Sequence, residues 1–302
     1  IGQALLLDSD SIPLCMRMYP GNKSEKPYLP EIIKEMKEQN RIKGKTIQVA
    51  DKGLNCGNNI YFALKNKDGY IFSQSILRLE EKERNWVLLE NGFVSKYNKD
   101  GSLDYKVKEC IDTFPIRVTD NNGKVSIINV KQKRIVPYNP SLANKKKIEI
   151  QKLIEKAKLL SASQAKKEEY GECSKYVKFI DKNGDKLKPT INQEKIDNDL
   201  KYAGYNLLVT SELNMDKFEV YKVYHNLWKI EDTFRVLKSQ LDSRPVYLQK
   251  KESIYGHFLI CYYAITLLRL LEEKIFKKQF SIYEIKNIIQ NVKIVHCDKD
   301  IF

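Results

Sequence analysis

The sequence is poor in the residues that staple or metallate small domains. Six cysteines stand at positions 15, 56, 110, 173, 261 and 297, and no two of them form a CxxC pair. With only three histidines in the chain, the pattern gives no support to a zinc site. Scattered single thiols fit a reducing cytoplasm rather than a disulfide framework. The opening run Ile1-Gly2-Gln3-Ala4-Leu5-Leu6-Leu7-Asp8 is too short for a signal peptide and has no basic lead. There is no initiator methionine, and the first residues read as the inside of a strand, so the expectation is a fragment. Long apolar runs are scarce: one, Ile254 to Leu271, contains Gly256, His257 and Arg269 and follows Lys250-Lys251. A spanning helix needs about 20 residues with few charges, so a buried core helix is expected and no membrane. No fixed-period repeat is present.

Positive charge is what the chain has in excess. Lys and Arg number 53 against 39 Asp and Glu, a net charge of +14. That balance favours a polyanionic partner, nucleic acid or an anionic membrane, although Lys-rich chains also arise without one. A length of 302 residues allows a large core and more than one domain.

Residues 2–7 and 12–19 are apolar and β-rich, with Asp8-Ser9-Asp10-Ser11 as a hairpin turn between them. Pro20-Gly21-Asn22 breaks the chain, and the spacing over 28–40 is helical. A short buried strand, Thr46 to Ala50, ends on Asp51-Lys52-Gly53, followed by a helix at 58–66 and a strand at 70–72. That order predicts an α/β layer with a mixed sheet. From about 79 to 205 the character changes. Residues 104–135 alternate as strands around Asn121-Asn122-Gly123, 144–161 form a Lys-rich amphipathic helix, and 175–188 read as a hairpin through Asn183-Gly184. A strand at 206–210 returns to the α/β pattern, and helices follow at 215–240, 251–275 and 281–291. The organisation read from this is a first part, 1–78, a β-rich insertion, 79–205, and a second part, 206–302.

Two places carry chemistry. Asp51 directly follows a buried strand, and ligands in open α/β sheets bind beyond the carboxyl ends of strands. A carboxylate there suits a metal ligand, or equally a turn residue capping the next element. In the 215–240 helix, Tyr224, Glu231 and Lys238 recur every seven residues, close to two turns, and so share a stripe with Arg235. Leu227, Trp228, Ile230, Phe234 and Leu237 cover the neighbouring face. The stripe reads as a metal-binding Glu beside cations and a ring meeting a phosphate backbone, or as a surface Glu231–Arg235 pair of about 0.2–0.5 kcal/mol. Spacing alone favours the ion pair.

The run from Tyr224 to Lys238 resembles the Tyr-x2-Arg-x3-Glu-x6-Lys signature of DDE-type bacterial insertion-sequence transposases. Tyr224, Glu231 and Lys238 match, while Leu227 stands where the signature has Arg. Ala50-Asp51-Lys52-Gly53 is similar to the family's Ala-Asp-Lys/Arg-Gly. Ile12-Pro13-Leu14, Tyr19-Pro20-Gly21-Asn22, Arg244-Pro245-Val246-Tyr247 and Ile254-Tyr255-Gly256-His257 resemble further segments in the right order. Several motifs in order are a strong signal where one alone is weak.

The resemblance implies a ribonuclease H-like fold and a DNA transposase cleaving and transferring strands at insertion-sequence ends. It implies Mg²⁺ or Mn²⁺ held by carboxylates, with Asp51 and Glu231 as catalytic metal ligands. It further implies DNA contacts from Tyr224, Arg235 and Lys238, a homodimer in the synaptic complex, and action on transposon-end and target DNA in the cytoplasm, at the nucleoid. The family's first catalytic Asp sits on a strand before the Gly-Ile-Pro segment, and that strand is missing here. Asp8 and Asp10 are poor substitutes in their turn, so the chain is expected to be an incomplete copy, inactive alone. His257 is expected as a hydrogen-bonded core residue, with DNA contact or orientation of Glu231 as the other possibility. The competing readings are a non-catalytic basic DNA-binding remnant and an unrelated basic scaffold.

Overall fold

The computed structural model describes residues 2–120, 122–162, 166–180, 186–293, 296–297 and 300–301. In chain order, β1 (Gly2–Leu7), β2 (Pro13–Tyr19), α1 (Tyr28–Gln39), β3 (Ile47–Ala50), α2 (Gly57–Lys65) and β4 (Gly69–Ser73) open the molecule, the strand and helix order the pattern predicts. They are followed by α3 (Glu81–Leu88), β5 (Val94–Tyr97), β6 (Leu103–Thr119), β7 (Val125–Tyr138), α4 (Pro140–Ala162), β8 (Val177–Ile180), β9 (Lys186–Ile191) and α5 (Gln193–Lys201). Then β10 (Leu208–Thr210) leads into α6 (Lys217–His225), α7 (Trp228–Ser239), α8 (Lys251–Leu270) and α9 (Ile282–Asn291).

The chain divides into two compact units, one of residues 1–46, 58–68 and 223–302, the other of 47–57 and 69–222. In the first, β1 and β2 pair antiparallel around a turn that Asp8 builds with its own side chain. The Asp8 carboxylate accepts hydrogen bonds from the Asp10 and Ile12 amides, both at 2.9 Å, the local bonding that makes Asp a turn residue. On one side of this ribbon, Cys15 packs with Ile32 and Met36 of α1. A second cluster joins Val236 and Leu237 of α7, Cys261, Ile265 and Leu268 of α8, and Ile282 and Ile285 of α9. Each such side chain contributes about 1.5–3 kcal/mol on burial. Ser281 and Glu284 cap α9 reciprocally, as a Ser three residues before a Glu can.

The second unit is built on a six-stranded mixed sheet of order β3-β4-β10-β7-β6-β5. Among the described residues, only β3 and β4 run parallel in it. β4 is buried along its length, as its apolar run without alternation predicts. The three-residue β10 lies between β4 and β7, with Val209 opposite Phe72 on one side and Arg134 on the other. The hairpin β6–β7, expected within an inserted segment, therefore shares one sheet with the α/β strands. The expected turn at Asn183-Gly184 lies outside the described residues, while β8 and β9 pair on either side of it.

Two expectations are corrected. The segment read as one helix over 215–240 is two, α6 and α7. At the junction, the Leu227, Lys229 and Ile230 amides each bond the carbonyl three residues back, those of Tyr224, Asn226 and Leu227. This tight turn replaces the four-residue helical pitch, so Tyr224 does not continue the stripe of Glu231 and Lys238. Asn226 at the break is a residue whose side chain competes with helical bonding. The second correction concerns α8. It is not a buried core helix: Phe258, Cys261, Ile265 and Leu268 are covered, but Ile260, Tyr263 and Leu267 face solvent.

Candidate active site

Asp51 follows β3 directly, at the carboxyl end of the parallel β3–β4 pair. Its carboxylate is exposed, and the Ser73 hydroxyl at the end of β4 donates to it at 2.7 Å. The Asp51 carbonyl accepts from the Leu54 amide at 2.9 Å, closing a turn. The Asn55 side-chain amide then ties the loop to the Ser73 carbonyl at 2.8 Å. At Gly57 the loop meets the hairpin backbone. A Cβ placed there would lie 1.9 Å from the Arg117 carbonyl oxygen, so only glycine permits this approach. The turn role and the ligand role of Asp51 are thus compatible, because the turn uses its backbone and leaves a carboxylate facing solvent.

Glu231 lies in the first turn of α7, where the helix dipole favours a carboxylate. Its side chain is exposed and makes no hydrogen bond or ion pair among the described residues. The surface Glu231–Arg235 pair does not form. Arg235 turns instead to Asp232, one turn back on the same helix. Lys238 is exposed and forms no ion pair among the described residues. Tyr224, half-buried, stands on the preceding helix α6.

The neighbouring acid is treated very differently. Asp232 accepts from the guanidinium of Arg269 at 2.6 Å, in addition to its bond from Arg235. Arg269, on α8, also donates to Glu272 at 2.6 Å and to the Thr233 hydroxyl at 3.0 Å, and is 6% exposed. Burial acts to raise the Asp232 pKa, but the hydrogen bonds and charges of Arg235 and Arg269 outweigh it and hold the pKa below the usual carboxylate value. This clamp fixes the helix that carries Glu231. Little in the sequence points to it, since Arg269 reads there only as an interruption of an apolar run.

His257 is part-buried, its Nε2–H donating to the Ser243 carbonyl at 3.2 Å, the hydrogen-bonded structural role. Asp8 is used in its turn, and Asp10 pairs with Lys274 at 2.8 Å. Glu212 follows β10, which runs antiparallel to β4, and it packs against Gly69 at the amino end of β4, so it lies at the opposite end of the sheet from Asp51. Asp51 and Glu231 belong to different compact units. Among the described residues, no group of three or more His, Cys, Asp or Glu side chains is arranged to hold a metal ion. The donor chemistry of Asp51 and Glu231, exposed carboxylate oxygens, suits a hard divalent cation.

Residues 2–267 match the family model described as Transposase DDE domain. That span takes in Asp51, Tyr224, Glu231, Arg235 and Lys238 and most of α8. No curated protein matches the chain.

Proposed function

The chain belongs to the transposase DDE domain family, and we propose that it acts as a DNA transposase of the insertion-sequence type, by metal-dependent phosphodiester hydrolysis and strand transfer on a ribonuclease H-like fold. The observation that carries the site assignment is the contrast within α7. Asp232 is consumed by two arginines, while Glu231, one residue away, offers a carboxylate with no partner among the described residues.

In this reading Asp51 and Glu231 hold Mg²⁺ or Mn²⁺. Bound divalent ions supply an activated nucleophile and charge neutralisation at the leaving oxygen. The chain's own residues do the rest. Ser73 orients the Asp51 carboxylate. Lys238 and Arg235 meet phosphates and set the register of the strand without reading sequence. Tyr224 contributes stacking, about 1–3 kcal/mol per base. Leu227, where the signature has Arg, withdraws one contact. The protein works in the cytoplasm on transposon-end and target DNA, as a homodimer in the synaptic complex, and the stretch 79–205 serves as the family's insertion.

A second reading, carried by the excess of positive charge, is a non-catalytic basic DNA-binding remnant. One set of measurements separates these. The chain is incubated with end-bearing plasmid in Mg²⁺ or Mn²⁺, and binding is followed by gel shift with and without chelator. The transposase reading expects metal to strengthen end binding, and expects Asp51→Asn and Glu231→Gln each to abolish that gain. Binding indifferent to chelation and to both substitutions establishes the remnant. Robust metal-dependent cleavage of the ends by the chain refutes the remnant reading.

A further inference from the structure

The outer half of the β6–β7 hairpin has no task in the site described above. β5 pairs with β6 only at 94–97 against 103–107, and β10 pairs with β7 only at 208–210 against 133–135. Among the described residues, 113–119 with 125–131 is therefore a two-stranded ribbon, paired throughout without a bulge. Pro115 has no amide to offer a third strand, which keeps the free edge of β6 from taking one. The two faces of the ribbon differ. Ile116 and Val130 are buried on one. The alternating residues on the other, among them Thr113, Arg117, Ile127, Asn129 and Lys131, are all exposed. Register sets Ile127 opposite Arg117 and Lys131 opposite Thr113, with Asn129 diagonal to Arg117.

We propose that this outer face is a sequence-reading ribbon that lies in the major groove of duplex DNA. Arg117 takes a guanine and Asn129 an adenine, while Lys131 and Thr113 hold phosphates. The inference rests on the DNA substrate proposed above and deepens it, by assigning the part of the chain that reads bases. It requires no metal.

Charge, shape, chemistry and position select that partner. The outward positions carry Arg117 and Lys131 and no carboxylate. The segment's two acids lie off this face. Asp112 belongs to the opposite face, and Asp120 sits in the turn, where its carboxylate accepts from the Asn122 and Lys124 amides. The major groove, about 12 Å wide, admits a two-stranded ribbon, whereas the deep, narrow major groove of duplex RNA does not admit protein groups. Seven residues of strand cover about 20 Å, or roughly six base pairs. Arg matches the acceptors of guanine and Asn the donor–acceptor pair of adenine, and Ile127 between them suits a thymine methyl. Diagonal neighbours on a ribbon lie about 7–8 Å apart, close to two base-pair steps, so the two readers serve bases about two pairs apart. The ribbon is also tied to the site. The loop that begins at Asp51 meets the Arg117 backbone at Gly57, and six residues reach at most about 21 Å. The bases read therefore lie within about six pairs of the bond cleaved at Asp51.

The test is run in chelator, so its failure is distinct from failure of the metal-dependent reading, which turns on Asp51 and Glu231. The full chain selects from a pool of random DNA duplexes about two helical turns long. The wild type is expected to enrich a motif holding a guanine and an adenine about two pairs apart. Arg117→Ala is expected to erase the guanine preference alone and Asn129→Ala the adenine preference alone. Each lowers the preference for enriched over starting duplex by about 5- to 150-fold. Lys131→Ala is expected to weaken binding to both pools alike and to lower the salt slope by about 1. All three changes are at exposed positions and are expected to leave the melt unchanged. A probe that needs no variant is N7-methylation of the enriched guanine, which is expected to block wild-type binding. Enrichment of no motif by the wild type overturns the proposal. So does a motif that survives both Arg117→Ala and Asn129→Ala, indifference to N7-methylation, or duplex RNA of the enriched sequence competing as well as the DNA.

Discussion

Replacing Arg269 by Met probes the clamp behind the Glu231 helix. The guanidinium is 6% exposed and bonds Asp232 and Glu272 at 2.6 Å each and the Thr233 hydroxyl at 3.0 Å. Met keeps much of the volume and removes the charge, leaving two largely covered carboxylates without their cation. Breaking a buried pair in this way costs about 3–5 kcal/mol. Two features pull toward the lower end. Asp232 retains Arg235, and the Arg269 Nε, buried without a partner, ceases to cost anything once removed. The expected loss is about 2–4 kcal/mol, or a melting temperature lower by roughly 6–12 °C. Thermal and urea unfolding followed by circular dichroism measure it.

The pH dependence gives an independent check. The folded pKa of Asp232 is depressed, so its contribution is complete above the ordinary carboxylate pKa, about 4, and is lost as pH falls through the folded value. The gap between wild type and Arg269→Met is therefore full at neutral pH and narrows in acid. Arg269→Met/Asp232→Asn regains part of the loss, because one uncompensated charge is gone. Arg269→Lys recovers only part, since an ammonium lacks the fork that serves two carboxylates. A neutral-pH loss under about 0.5 kcal/mol, the size of an ordinary surface substitution, refutes the reasoning, as does a gap that does not change with pH.

Other outcomes follow from single contacts. Lys108 is buried beneath Trp86 and Phe93 and donates to the Trp86 and Leu89 carbonyls, and burial pushes its pKa down to about 8. The folded state then releases this proton before the unfolded state does, so stability rises with pH between about 8 and 10.5, and Lys108→Met flattens that window in urea titrations. Gly57→Ala forces the hairpin off the Asp51 loop and is expected to cost about 1–3 kcal/mol, read from the melt. Ser73→Ala removes one donor to Asp51 and is expected to weaken Mn²⁺ affinity, measured by calorimetry, with little change in fold. Lys238→Ala is expected to weaken DNA binding on all sequences alike and to lower the salt slope by about 1, measured by gel shift across a salt series.

Much of the architecture was legible because it is local. β4 reads from an unbroken apolar run, and the Asp8 turn from side-chain bonding within four residues. What failed did so for non-local or competing reasons. Seven-residue spacing placed Tyr224 with Glu231 only if the helix kept its pitch, and three bonds to the carbonyl three residues back, from the Leu227, Lys229 and Ile230 amides, break it there. Helical spacing alone put a Glu231–Arg235 ion pair ahead, yet Arg235 goes to Asp232. That choice depends on Arg269, 37 residues further on, which holds Asp232 in place.

By itself, then, the sequence determined the element order, the excess of positive charge and the positions of Asp51 and Glu231, because periodicity and ordered motifs are properties of the chain. Only the tertiary structure decided which acid in α7 is free. It did so by burying Arg269 against Asp232, where a cation removed from water must find its carboxylate partners, and Glu231 has none among the described residues.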